Sequence, residues 1–544
     1  MINKKVIHFL KKYYLEIIIF IFAFLFSTWL YFSTFSYSQG SMQIAAKAWS
    51  DFASHIPLIR SFSFGDNFPI EYPLFSGPFI KYHFLFYALV GFLEKIGLRI
   101  DLALNIPSII GLTTLIIMIY LFAKEIFKSK AVGVLSIIFF LFNGTLSFID
   151  FFKNNGLSIN SVLSIAQNTK FTSFGPYDGG IISAFWNLNI YTNQRHLAIS
   201  YALSLFIIYI FLKLKGSKSH KNFEITLFLG IVLGLSFMLN MATFLMTVLI
   251  LACLLIFLKH KRIYIFLTLL LASVIALPQY LFIQQQPSEF NILLRTGYLV
   301  EKLDILNALN YWVQNFGLHI ILIPLGFIVA SKISKKVFLS FLGLFLVANI
   351  LQFSPEIAAN HKFINFFIIL GGMFSAYFLY FLWIKKHVFK PLVIALVLLL
   401  TLSGIIDFFP ILNDIKITLN DYPVNKDISW IINNTKKDAV FLNNQYLYNN
   451  ASIAGRKIFL GWPYFAWSQG YNTQKRDDIR KSLLNTKDLE YFCTESLKHK
   501  LNYVDIDLNS EDAIVNKDFF DNNFKKVYEN TNDKFIIYHI NSKC

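Results

Sequence analysis

The 544-residue chain is short of charge: 15% of its residues are Asp, Glu, Lys or Arg, against about 25% in soluble domains. With 56% hydrophobic residues and a mean hydropathy of +0.54, that shortage excludes a wholly soluble protein. Cysteine is scarce too, and Cys253, Cys493 and Cys544 have no metal-ligand spacing. Cys253 falls in an apolar run and reads as a packed thiol, whereas Cys493 and Cys544 can pair if their region faces an oxidising compartment. No small-residue cleavage site follows MINKKVIHFLKKYY and its apolar run, so the segment reads as a retained signal anchor. After about residue 410 no run is long enough to cross a bilayer.

What is present is a series of apolar runs with basic residues clustered between them. A net charge of +17 spread in this way is the positive-inside pattern and not a nucleic-acid surface. Runs long enough to span lie at 15–37, 100–123, 130–149, 196–213, 222–239, 241–258, 263–284, 311–331, 337–353, 363–384 and 391–409. A turn near Asn240 separates two of them. A further run, 79–97, is decided by orientation. If it crosses, the basic loops 124–130, 213–221, 259–262, 331–336 and 385–390 all fall outside; if it does not, all five are cytoplasmic. It therefore reads as an interfacial or re-entrant segment, with His83, Glu94 and Lys95 holding it near the headgroups. The expectation is an all-α polytopic domain of about eleven spans over 1–409. Its N-terminus is cytoplasmic, and the outer loops are 38–99, 150–195, 285–310 and 354–362. A small extracytoplasmic α/β domain over 410–544 completes the chain. DAVFLNN, RKIFLG, LNYVDID and DKFIIYHI read as its strands, with helices near 426–434, 474–484 and 487–499.

The first outer loop concentrates ionisable residues between prolines, and such residues beside a span usually mark a site. Asp51 and His55 share a face if WSDFASHI is helical; the pair can share a proton, bind a divalent cation or cap a helix. Glu71 and His83 add two more groups to the same loop. Asp150 stands where 130–149 leaves the membrane, positioned to face Asp51, while Asp178 between Gly and Pro reads as a turn. Gln194, Arg195 and His196 precede the next span; Arg195 suits a phosphate, or snorkels to anchor headgroups. The loop at 285–310, with Arg295, Glu301, Lys302 and Asp304, has no distinct chemical signal. His361 and Lys362 put positive charge at the outer mouth of a span, against the prevailing bias, which points to an anionic ligand. In GRKIFLGWPYFAWSQGYNTQKR, aromatics with Arg456 and Arg476 line either a sugar or peptide groove, or a core lying on the membrane.

Together these features resemble the GT-C membrane glycosyltransferases: protein O-mannosyltransferases, lipid A aminoarabinose transferases and oligosaccharyltransferase catalytic subunits. The carriers are Asp51 in the first outer loop and Asp150 where a later span emerges. The helix pair LNIPSIIGLTTLIIMIYLFAKEIFKSKAVGVLSIIFFLFNG and the segments FGPYDGG, NQRHLA and NHKFINFF add to them. The resemblance implies a sugar donor on a polyprenyl phosphate, a lipid, glycan or protein acceptor, and a cell-membrane location with the chemistry outside. Asp51 and Asp150 become the catalytic carboxylates, Asp51 as general base of an inverting transfer. Arg195 and Lys362 become the phosphate's partners, and His55, Glu71, His83, Gln194, His361 and Arg456 bind substrate. The first loop reads SDFASH without a paired acidic DxD or DE, so a cofactor is either absent or an optional Mg2+ or Mn2+. The competing class is a non-enzymatic transporter or assembly protein for lipid-linked envelope glycans. A transporter would show polar residues deep in its spans, where few beyond Asn143, Asn240 and Gln279 occur.

Overall fold

The structure, a computed structural model, describes residues 4–172, 183–214, 220–285, 289–300, 302–540 and 543–544, with side chains from Lys12 onward. Asp178, Glu301 and the FGPYDGG segment lie outside the described residues. Long apolar helices make up the first three quarters of the chain. Among the described residues seven helices are long and apolar enough to cross a membrane: Lys12–Thr34, Ile100–Phe127, Arg195–Lys213, Lys259–Ile283, Lys332–Ile350, Ile357–Lys385 and His387–Leu412. Ile305–Phe316 and His319–Val329, bent by 84° at a break, make an eighth if they form one span.

The remaining expected spans are shorter helices ended by local chemistry. Lys130–Leu141 has 12 residues and stops before Asn143 and Gly144; Asn143 donates to Asp407 at 2.9 Å. His220–Leu235 ends in a turn, and Asn240 caps Met241–Phe257 by accepting from Thr243 N at 3.0 Å. The 311–331 run breaks at Gly317, whose φ of +54° brings a hypothetical Cβ to 2.0 Å from Gly144 O. Segment 79–97 holds only the 11-residue helix Leu85–Lys95, about half the length a crossing needs. Glu94 does not serve as a headgroup anchor: it is buried, and its carboxylate lies 2.8 Å from Arg60 Nε.

The C-terminal part carries a five-stranded mixed sheet. In spatial order its strands are Lys525–Asn530, Phe535–His539, Tyr503–Asp507, Val440–Asn443 and Lys457–Ile458. The first is a polar edge strand that has no apolar alternation to announce it. Helices Lys426–Asn434, Thr473–Leu484 and Leu489–Lys498 pack around the sheet, and a Cys493–Cys544 disulfide ties the chain end to the last of these.

This part is built into the first loop. Ser41–Ala45 pairs antiparallel with Lys416–Asn420, and one apolar core joins Ile56, Ile59, Tyr72 and Phe86 to Ile428, Phe441 and Ile458. Backbone bonds run from Ile458 N to Pro73 O (2.9 Å) and from Gly461 N to Leu74 O (2.8 Å). At the closest approach Gly455 has φ +78°, and a Cβ there would lie 2.5 Å from Arg60 O. Gly455→Ala is expected to lower stability by at least ~1–2 kcal/mol from the left-handed backbone alone. A thermal unfolding curve of the purified protein measures it, and an unchanged midpoint would refute the close approach.

Candidate active site

The helix Trp49–Ser63 follows the strand Ser41–Ala45 through the single turn Ala46–Ala48, which fixes where its first turn lies. Asp51 lies in that first turn, favourably for the helix dipole. It does not cap the helix: the cap residue is Ala48, with no side-chain cap bond. Asp51 and His55 both face a cavity of about 1000 Å³. The first loop also contributes Tyr72, Lys81, Tyr82 and His83 to its wall, and Gln194 joins them from just before the helix Arg195–Lys213. Phe237, Met241, Phe244, Leu245 and Ile283 form an apolar side. Ser354, Glu356 and Lys362 come from the 354–362 loop and the mouth of the following helix, and Tyr464, Phe465 and Gln469 close the cavity from the C-terminal part.

Electrostatically the cavity holds a carboxylate opposed by cations. Burial pushes the Asp51 carboxyl up to about 6, while the Lys362 ammonium and a hydrogen bond from Asn193 pull it the other way. Burial, with Arg195 and Lys362 nearby, pushes His55 down to about 3, so its ring is neutral. Lys362 forms no salt bridge among the described residues and stands at the cavity wall as an available cation. Gln194 Oε1, His55 Nδ1 and His83 Nδ1 are buried with no hydrogen-bond partner among the described residues.

The other expected site residues lie elsewhere. Asp150 sits on the helix Ser147–Asn155, 45% exposed at its side chain and paired with Lys153 at 3.1 Å, and is absent from the cavity wall. Glu71 is used up by Lys457 (3.1 Å) and by Gly77 N (2.8 Å) in its own hairpin. His361 is buried against Phe185 and bonds Asn365. Arg456 bonds Phe64 O at 2.9 Å and Ile432 O at 3.0 Å, joining the first loop to the C-terminal part. Arg195 neither snorkels nor reaches the cavity. Fully buried, it bonds Thr192 O, Asn105 and Thr34 at 2.6, 3.1 and 2.8 Å and stacks over Tyr31. No carboxylate is among those partners, so its charge is uncompensated and adds positive potential behind the cavity.

Sequence reasoning names His196 before its span and gives it no role; it does not line the cavity. Its ring lies 3.0 Å from His83 Nε2 and 3.0 Å from Tyr87 OH. Of the aromatic segment GRKIFLGWPYFAWSQGYNTQKR, Tyr464, Phe465 and Gln469 reach the cavity, although nothing local says that residues so far along the chain return to the first loop. As for a divalent cation, no group of three His, Cys, Asp or Glu side chains among the described residues could hold one.

The chain matches no protein-family model, and no curated protein matches it. Among solved structures its fold is similar to the archaeal oligosaccharyltransferase AglB from Archaeoglobus fulgidus, in complex with an inhibitory peptide and a dolichol-phosphate. The TM-score is 0.51 at 14% identity, over 92% of this chain and 70% of that one. At that identity the likeness is one of fold alone.

Proposed function

We propose that the chain is an integral-membrane glycosyltransferase of the GT-C kind, moving a sugar from a polyprenyl-phosphate donor to an acceptor outside the cytoplasm. The observation that carries this reading is a carboxylate and an ammonium, Asp51 and Lys362, the latter with no salt bridge among the described residues, on one cavity with an apolar wall. The prenyl chain would lie along Phe237, Met241, Phe244 and Leu245, with its phosphate toward Lys362. Asp51 would take the proton of the acceptor hydroxyl as that oxygen bonds the anomeric carbon. The bond from carbon to phosphate oxygen breaks with inversion, its electron pair stays on the phosphate, and Lys362 balances the charge that develops there. No step is routed through a cation. Asp150, Glu71, His361, Arg195 and Arg456 take no direct part in this scheme.

Lys362→Ala tests the donor site in protein reconstituted with a polyprenyl-phosphate sugar. Losing one charge-assisted hydrogen bond is worth ~1.5–3 kcal/mol, so donor KM should rise about 10- to 100-fold. A rise in acceptor KM alone would refute the phosphate role. The pH profile tests the base. Asp51 accepts a proton only when ionised, so the rate should climb with pH, pass half-maximum near pH 6 and level off above it. A rate that falls as pH rises from 5 to 7 (roughly the window of that shift) would contradict the assignment.

A further inference from the structure

The helix Ile305–Phe316 leaves a stripe of large apolar side chains uncovered. Ile305 is 79% exposed, Leu306 78%, Leu309 54% and Val313 38%. Ile305, Leu309 and Val313 recur every fourth residue and so share one side of the helix, with Leu306 beside them. Asn307, Asn310 and Gln314 form a polar stripe next to it, the first two exposed and the third half-buried. The remaining side is buried and rests on the protein through Tyr311, Trp312, Asn315 and Phe316. Asp304 fixes the start of the helix by accepting from Asn307 N at 2.8 Å.

The depth of this helix follows from its neighbours. His319–Val329 runs alongside the span Ile357–Lys385. A Cβ on Gly326 would lie 2.2 Å from Phe374 O, and one on Gly371 would lie 2.7 Å from Ile323 Cδ1, matched pairs three residues apart in each helix. Ile305–Phe316 is bent by 84° from His319–Val329 and therefore lies close to the bilayer plane. Its rings meet two spans near their ends: Phe316 is 6.4 Å from Phe367 and Trp312 is 4.8 Å from Phe345, centroid to centroid. Phe367 stands six residues after the helix start at His361, and Phe345 five residues before the helix end at Ile350. At ~1.5 Å per residue both are about 7–9 Å in from those ends. The 19-residue helix Lys332–Ile350 is ~28 Å long, close to the hydrocarbon thickness of about 30 Å. The segment joining the two ends lines the cavity, so this is the cavity side of the membrane.

We propose that Ile305–Phe316 is an in-plane membrane helix whose stripe of Ile305, Leu306, Leu309 and Val313 is immersed in the acyl chains of the cavity-side leaflet, with Asn307, Asn310 and Gln314 toward the headgroups. Amphipathic helices of this kind sink their apolar side ~5–10 Å into the boundary between headgroups and acyl chains, the depth that the two ring contacts give. The three sides of the helix match that setting: one rests on protein, one is apolar, and the polar one lies between them on the far side. A water-soluble partner does not reach the stripe at that depth, so the occupant is lipid. The inference goes beyond the transfer reading and holds whether or not the cavity moves a sugar.

The test places an NBD fluorophore on L309C or N310C in the full-length protein, reconstituted in phosphatidylcholine liposomes. C253S removes the free thiol, and the Cys493–Cys544 disulfide takes no label. A lipid spin-labelled high on its acyl chain should remove most of the fluorescence at 309, while iodide in the water leaves it bright. At 310 iodide should be the stronger quencher. Iodide quenching at 309 as strong as at 310 would overturn the proposal, because the stripe would then lie in water. A label at 309 that neither quencher reaches would overturn it too, since protein would then cover the stripe. Should the cysteine variants fail to fold, the wild-type protein decides. A hydrophobic diazirine dissolved in the bilayer and photolysed should tag Ile305, Leu306 and Leu309 along with the exposed side chains of the span Lys259–Ile283. Tags on that span with none on Ile305–Phe316 would overturn the proposal.

Discussion

Asp51→Asn is expected to lower sugar transfer by about 10²–10⁴-fold, the range that a positioned general base contributes. Asn keeps the shape and can still hydrogen-bond, but it cannot take a proton from the acceptor. The variant should fold at least as well as wild type. Asp51 has its folded pKa raised from 3.8 to about 6, so the folded state favours the protonated carboxyl. That contribution is fully present below the unfolded value and is lost as pH rises through about 6. At neutral pH the ionised carboxylate therefore costs stability, and Asn removes the cost. The expected pair of results is near-complete loss of glycan product with an unfolding midpoint equal to or above that of wild type at pH 7.5 (about the pH of a neutral buffer). Undiminished product in the Asn variant would refute the mechanism. A large drop in midpoint would mean instead that Asp51 is structural.

That residue was legible in the sequence because its signal is local. Asp51 and His55 stand four apart in a stretch too polar to read as a span, and the helix Trp49–Ser63 puts both on the cavity. Orientation by basic loops also removed 79–97 from the spans, in agreement with the short helix Leu85–Lys95. What could not be read is whether a charge already has a partner. Glu71 looks available beside its prolines, yet Lys457 arrives from the C-terminal part to pair with it. Arg195 looks placed for a phosphate at the mouth of a span, yet Asn105, Thr34 and Tyr31 enclose it completely. Lys362 has the same kind of sequence setting as Arg195 and does reach the cavity. The difference lies in neighbours that come from other helices. Span lengths failed for a related reason: an apolar run does not reveal a polar turn such as Asn143–Gly144, whose bonds are made to Asp407 and Gly404 on a distant helix.

Arg60→Ala is expected to destabilise the protein by about 3–5 kcal/mol, the cost of removing one partner from a buried ion pair. Arg60 is fully buried near the end of the helix that carries Asp51. Its guanidinium makes two bonds to Asp421, at 2.9 and 2.7 Å, and its Nε lies 2.8 Å from Glu94. Three segments meet there: the first-loop helix, the short helix Leu85–Lys95 and the turn that follows the strand Lys416–Asn420. Alanine leaves two carboxylates enclosed without their cation. Burial already holds the Glu94 carboxyl above its usual range with Arg60 present, so in the variant it should protonate more readily. The deficit should accordingly shrink as pH falls, which a simple packing defect would not do. Neutralising the orphans in Arg60→Met with Glu94→Gln and Asp421→Asn should recover much of the loss, since uncharged groups of similar shape avoid the desolvation cost. Unfolding midpoints at about pH 5 and about pH 7.5, on the acid side and at neutral pH, separate the cases. An Arg60→Ala deficit that is the same at both and is not relieved in the triple variant would show that the side chain matters for its volume. Because the same helix presents Asp51, any variant that loosens this junction should also lose transfer, whereas Asp51→Asn loses transfer and leaves the junction sound.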